Sequence, residues 1–190
     1  MSALADSAFD TFLATAWRPD FDGSADDDAA GEPRDNTHYG VIRATWNTEV
    51  ARGAPVSDAN FDTAPKTDFA TVLRMACWSA VKGDQLADAG LGGVAIVLAN
   101  IAMASGSREA VLLLQRSVPG VSADGFFGPV TFTMAVAFGH SPGAALIGKL
   151  TAADEKFLAS LATAPEYLRG WTRRAEVFEA VARTFQQGHA

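Results

Sequence analysis

Between Ala89 and Ser107 the chain carries no charged side chain, and the stretch Leu91-Gly92-Gly93-Val94-Ala95-Ile96-Val97-Leu98 within it is strongly apolar. Such a segment has to leave water on every side, and the remainder of the 190 residues must supply what covers it. A bilayer span takes ~20 predominantly apolar residues, with aromatics at its ends. Here glycines and Asn100 interrupt the run and no aromatic belt flanks it. The reading is a buried central helix, with no stable membrane insertion.

The flanking segments fit that role. Phe9, Phe12, Leu13 and Ala16 recur at helical spacing over Ser7–Trp17, and Pro19 stops the helix they define. An acidic, glycine-containing loop, Asp20 to Asn36, follows. Val41–Ala51 forms a short helix or turn, 52–67 reads as loop, and Asp68 is placed to cap a helix over Phe69–Val81. Arg108–Ser117 is helical, and further helices are expected at Phe132–Phe138, Pro142–Leu150, Ala152–Ala162 and from Tyr167 onward. No strand pattern of any length and no internal repeat appears. The expected class is all-α.

Charge narrows the partners. Residues 1–70 hold 13 acidic and 5 basic side chains, whereas 71–190 hold 9 and 10. An acidic N-terminal half is the wrong sign for nucleic acid or for anionic lipid. Cys77 is the single cysteine, so no disulfide forms within the chain, and its expected place is the core. The three histidines are scattered, and Asp26-Asp27-Asp28 lacks the ligand spacing of a calcium loop, so neither a metal nor a cofactor is expected. The first residues, Met1-Ser2-Ala3-Leu4-Ala5-Asp6, have no basic region and carry acid where an apolar core would begin, which is not a secretory signal.

Three motifs stand out. Asn36-Thr37-His38-Tyr39-Gly40-Val41 follows Trp17-Arg18-Pro19-Asp20-Phe21 across the acidic loop. Asp124-Gly125-Phe126-Phe127-Gly128-Pro129-Val130-Thr131 combines a tight Asp-Gly turn with a Gly-Pro turn that opens a helix. Arg169-Gly170-Trp171-Thr172-Arg173-Arg174 lies near the C-terminus. In this order and spacing they resemble the glycoside hydrolase family 108 muramidases of phage and prophage endolysins, from Phe9 to about Arg174. The resemblance implies a lysozyme-like helical region over 1–117 with the buried helix at its centre. It implies a C-terminal peptidoglycan-binding-like helical region over 118–190, both packed as one compact unit.

Cleaving a β-1,4 bond between sugars ordinarily takes two carboxyl groups, one of them a proton donor. In the resembling family the donor is a glutamate at the end of the first helix, where this chain has Arg18; Pro19 and Asp20 replace two glycines. Asn100 stands at the family's central-helix aspartate and Ala104 at a nearby asparagine. Arginine keeps its proton until pH exceeds ~12, so it cannot act as the acid. Asp20 and Asp22 are the nearby carboxylates that could substitute, with Glu32 and Glu49 the other glutamates of this half. Thr37, His38, Tyr39, Trp46, Trp78 and Asn100 are the candidate glycan contacts, the aromatics because pyranose rings stack on them.

Three functions follow. One is a degenerate muramidase that binds peptidoglycan glycan strands with little or no lysis. Another is an active N-acetylmuramidase with a relocated carboxylate such as Asp20. The third is a structural protein of phage origin that keeps only the scaffold and meets a phage or host protein. For the first two, cytoplasmic synthesis without a signal peptide implies access to the wall through a holin-type release, through lysis, or as part of a particle.

Overall fold

The computed structural model describes residues 2–21, 36–141 and 145–189. Along the chain these form α1 (Ala3–Ala16), a hairpin of β1 (Thr37–His38) and β2 (Val41–Ile42), α2 (Arg43–Ala51), α3 (Lys66–Leu73), α4 (Gly83–Asp88) and α5 (Gly92–Ser105). They continue with α6 (Ser107–Ser117), α7 (Pro129–Gly139), α8 (Leu146–Ala159) and α9 (Ala164–Gly188). The uncharged run is α5, and every residue from Gly92 to Ala102 is buried. It packs against α1, α4, α6, α8 and α9, which close around it. Among the described residues no helix is long and apolar enough to cross a membrane.

The tightest of these contacts is between α5 and α9. A Cβ on Gly92 would run into the Phe185 ring, and one on Gly93 into the carbonyl of Ala182. Two consecutive glycines therefore let the backbone of α9 lie against the start of α5. Gln186 of α9 then serves that helix end: its Oε1 accepts from the Gly93 amide at 3.1 Å, and its amide donates to the Gly90 carbonyl. A helix start without a capping side chain of its own is satisfied from across the core.

Several expected elements change shape. α1 begins at Ala3 because the Ser2 hydroxyl accepts from the Ala5 amide, a serine N-cap. Asp68 is not the cap of α3. It sits in the first turn, buried, and its carboxylate accepts from the Ser57 amide and hydroxyl at 2.8 Å and the Asp58 amide at 2.9 Å, pinning the preceding loop. The helix expected to Val81 loosens into a π-turn over Arg74–Trp78 and a 3₁₀ turn over Ser79–Val81. The two helices expected on either side of Thr151 are one, α8, within which the Thr151 hydroxyl donates back to the Ile147 carbonyl at 3.2 Å. The hairpin was not expected, since strands of two residues show no alternation.

The Asp124–Thr131 motif folds around one buried amide. Gln115 of α6 donates to Asp124 Oδ1 at 2.8 Å and to the Phe126 carbonyl and Thr131 Oγ1 at 3.1 Å, and its oxygen accepts from the Gly125 amide at 2.8 Å. Gly125, at φ 77°, takes the left-handed turn the Asp-Gly pair predicts. The motif thus holds a loop against α6 and aims its aromatic residues.

On α8, Asp154 is 2% exposed, and its Oδ1 has no hydrogen-bond partner among the described residues. Burial, and then the neighbouring Glu155 charge, push its carboxyl up to about 7. The unfolded chain would give up this proton near pH ~4, so between pH ~4 and about 7 the folded state holds a proton the unfolded state has lost. Stability therefore falls as pH rises through that window and levels off above it. Asp154→Asn is expected to stabilise the fold by on the order of 2–4 kcal/mol at pH 8 and to have little effect at pH 4, as read by urea unfolding at both pH values.

Candidate functional site

Trp17 ends α1 and fixes the hairpin. Its indole nitrogen donates to the Tyr39 carbonyl at 3.0 Å, and the two rings meet edge to face at 6.1 Å. Tyr39 and Gly40 both have positive φ, 50° and 73°, the geometry a two-residue hairpin turn requires. This explains why a Tyr-Gly pair sits between Thr37-His38 and Val41. Tyr39 is half-buried and already has a neighbour on its ring, since Lys66 Nζ lies 5.0 Å from its centroid and 4.4 Å from that of Trp17. His38 stacks on Phe61 at 4.4 Å, and Thr37 pairs with Ile42 across the hairpin.

Trp46 and Trp78 belong to the core rather than to a glycan surface. Both are fully buried. Trp46 donates to the Ala59 carbonyl at 3.1 Å and Trp78 to Asp84 at 2.8 Å, and their rings pack on Phe69 and on Phe9. Neither offers a face on which a sugar could stack.

Past α1, Arg18 and Asp20 meet the N-terminal half of α9. Arg18 Nε lies 3.1 Å from Asp20 Oδ1, and Arg173 Nη2 lies 2.9 Å from Asp20 Oδ2. The Arg18 hydrogen bond, with the charges of Arg18 and Arg173, holds the Asp20 carboxyl below its ordinary range. Asp20 is thereby ionised at neutral pH, the opposite of what a general acid needs. Asp22, the acidic triplet and Glu32 lie outside the described residues.

Beneath this pair, Arg174 turns inward. Its Nε donates to Asn100 Oδ1 at 2.8 Å and its Nη2 approaches Met103 Sδ at 3.2 Å. Its guanidinium lies over Phe21 and Phe178, whose rings stack at 6.5 Å. Burial lowers the Arg174 pKa to about 10, which still leaves it a cation at neutral pH. Asn100, a candidate glycan contact, is buried and engaged by this guanidinium.

Met103 also lines a groove of about 460 Å³ that runs between the hairpin and α2 on one side and the ends of α5 and α6 on the other. Its walls include Gly40, Thr45, Thr48, Glu49, Ala104 and Ser107. Glu49 is the carboxylate on that wall, nearly buried, with Oε1 accepting from Arg52 at 2.8 Å. Behind it Cys77 is buried as expected; burial, and then Glu49, push its thiol up to about 12, which makes it inert. In the sequence Glu49 stands only as one of the other glutamates of this half, although Thr45, Glu49 and Arg52 share one face of a helix at i, i+4 and i+7. Lys66 left no such signal, because only the hairpin's position puts it over Tyr39. Among the described residues there is no cluster of metal-ligating side chains.

Residues 109–176 match a family described as a predicted peptidoglycan domain. Over nearly its whole length the chain is also similar to a solved structure, that of Brucella abortus SagA, at 28% identity and a TM-score of 0.71, with 96% of this chain and 95% of that one covered. No curated protein matches. The chain is accordingly a peptidoglycan-related helical protein, all-α and lysozyme-like in fold. The matched family begins in α6 and takes in the Asp124–Thr131 and Arg169–Arg174 motifs but not the Trp17–Val41 region.

Arg173 and Arg174 of α9 separate experimentally. Asn100→Leu takes the acceptor from the buried guanidinium of Arg174 and is expected to cost ~2–3 kcal/mol in urea unfolding. Arg173→Ala breaks only an exposed ion pair and should leave the unfolding midpoint nearly unchanged.

Proposed function

We propose that this protein binds peptidoglycan through a muramidase-like scaffold and cleaves it poorly or not at all. The observation that carries the reading is the ion pair at the end of α1: the position of the proton donor holds Arg18, and the neighbouring carboxyl, Asp20, is kept ionised between Arg18 and Arg173. A glycosidic oxygen placed there would meet two cations and no acid. The match of residues 109–176 to a peptidoglycan domain, and the groove beside the hairpin, support retention of the ligand.

A second reading is supported by Glu49. It is a nearly buried carboxylate on the groove wall, so an active hydrolase could take its acid from α2 instead of from the end of α1. Under either reading, the protein would reach the wall through a holin-type release, through lysis, or as a particle component.

The test uses purified sacculi, with bound protein measured by co-sedimentation and soluble muropeptides by chromatography. The unmodified protein is expected to sediment and to release nothing. Arg18 is exposed enough to be replaced without disturbing the core, and Arg18→Glu would set one carboxyl beside another, which raises the pKa of the pair. That variant is expected to gain measurable release. Release by the unmodified protein, abolished in Glu49→Gln or Asp20→Asn, would overturn the binding-only reading and identify the acid.

A further inference from the structure

A second groove, of about 400 Å³, lies on the face formed by the Asp124–Thr131 loop, the start of α6 and the turn before α4. Its lining includes Lys82, Arg108, Ser107, Gly125, Phe126 and Phe127. Phe126 is 71% exposed, one of the large apolar side chains this fold leaves in water, and Val130 beside it is 69% exposed. The Gln115 network fixes the backbone that presents Phe126, and the Phe126 amide donates to Asp124 Oδ1 at 2.8 Å. The aromatic wall is therefore held in place from beneath rather than displayed on a loose tip.

The cations of this groove occupy positions that the local backbone does not favour. Arg108 occupies the first turn of α6, where the helix dipole disfavours positive charge, and α6 has no capping side chain at its start. Lys82 holds a left-handed backbone, φ 59°, that a residue other than glycine adopts at a cost. Both are exposed, and neither forms an ion pair among the described residues. The neighbouring carboxylates are committed elsewhere: Asp84 to Arg74 and Trp78, Glu109 to Arg116, and Asp124 to Gln115 and the Phe126 amide. Arg108 acts on Asp124 only through space, as the last of the influences that lower its pKa. In a protein of net charge -7, this leaves a cationic recess with one aromatic side.

We infer that this groove binds the stem peptide of peptidoglycan, with its carboxylates on Lys82 and Arg108 and an aliphatic side chain against Phe126. The inference rests on the peptidoglycan reading above and assigns part of the ligand to a different face from the groove beside the hairpin. A glycan strand is neutral while its lactyl carboxyls are amide-linked to the peptide, so the charge that two cations select belongs to the peptide. Ser107 lines both grooves, so one strand of wall polymer could place its glycan in the first and its peptide in the second.

The experiment compares retention on sacculi coupled to beads through their glycan, either left intact or stripped of their peptides by an amidase with the freed lactyl carboxyls capped as methylamides, for the unmodified protein, Arg108→Gln, Lys82→Gln and Phe126→Ala. Circular dichroism melts confirm that each variant is folded. Stripping the peptides is expected to weaken binding by the unmodified protein at least tenfold. Each variant should bind intact sacculi several-fold more weakly, and all four proteins should bind stripped sacculi equally. Unchanged binding of the unmodified protein to stripped sacculi, or variants that match it on intact sacculi, would overturn the inference and leave the peptidoglycan reading standing. Failure of the unmodified protein to bind either preparation would overturn both.

Discussion

The burial of α5 on all sides is the condition on which the rest of the structure depends. A helix with no polar face can exist in water only if other elements surround it, and here α1, α4, α6, α8 and α9 do so. The surrounding helices come from both ends of the sequence, so neither half can fold around α5 without the other. Phe12 of α1 and Phe178 of α9, in ring contact at 6.1 Å, show the two ends of the chain meeting beside it. The Gly92-Gly93 pair sets how closely α9 can approach, and that approach fixes where Arg173 and Arg174 emerge. The position of the candidate site is in this sense a consequence of core packing.

This dependence explains what could be read from the sequence and what could not. α5 was legible because an uncharged run of that length has few solutions. The Asp-Gly and Gly-Pro turns were legible because their conformations are set by the residues themselves. Asp68 was misread because capping is only one use of a carboxylate at a helix start; the loop at Ser57 and Asp58, far along the chain, claimed it instead. The break expected in α8 was misplaced because Thr151 can return its hydroxyl to the helix backbone. Trp46 and Trp78 were candidates for the surface only because sequence cannot tell a stacking aromatic from a core one, and burial decides it.

The site divides along the same line. Arg18 and Asp20 were legible as neighbours, since only Pro19 separates them and their charges are opposite. That Arg173 would close the pair from 153 residues away was not, because it depends on the register of α9 against α5. Glu49 was hidden for a related reason. Its helix was expected, but nothing local says which face of α2 meets the ends of α5 and α6. A carboxylate becomes a candidate for chemistry only when the fold surrounds it with an open groove and a low-polarity wall.

The contrast between Arg173 and Arg174 bears on what the arginine at position 18 is for. Arg174 is built into the core contacts of α9, stacked on Phe21 and Phe178 and bonded to buried Asn100, so its loss would be felt in the fold. The Arg18–Asp20–Arg173 cluster lies at the surface, where ion pairs between mobile side chains contribute little to stability. The fold therefore does not require arginine at the end of α1. A glutamate there would leave α1, the Trp17–Tyr39 contact and the hairpin in place, since none of them uses the Arg18 side chain. On the proposed reading, the change from acid to base at that position alters the charge offered to a bound glycan while leaving the scaffold intact. The scaffold can then persist as a binding surface, because the interactions that build it are separate from those that would cleave.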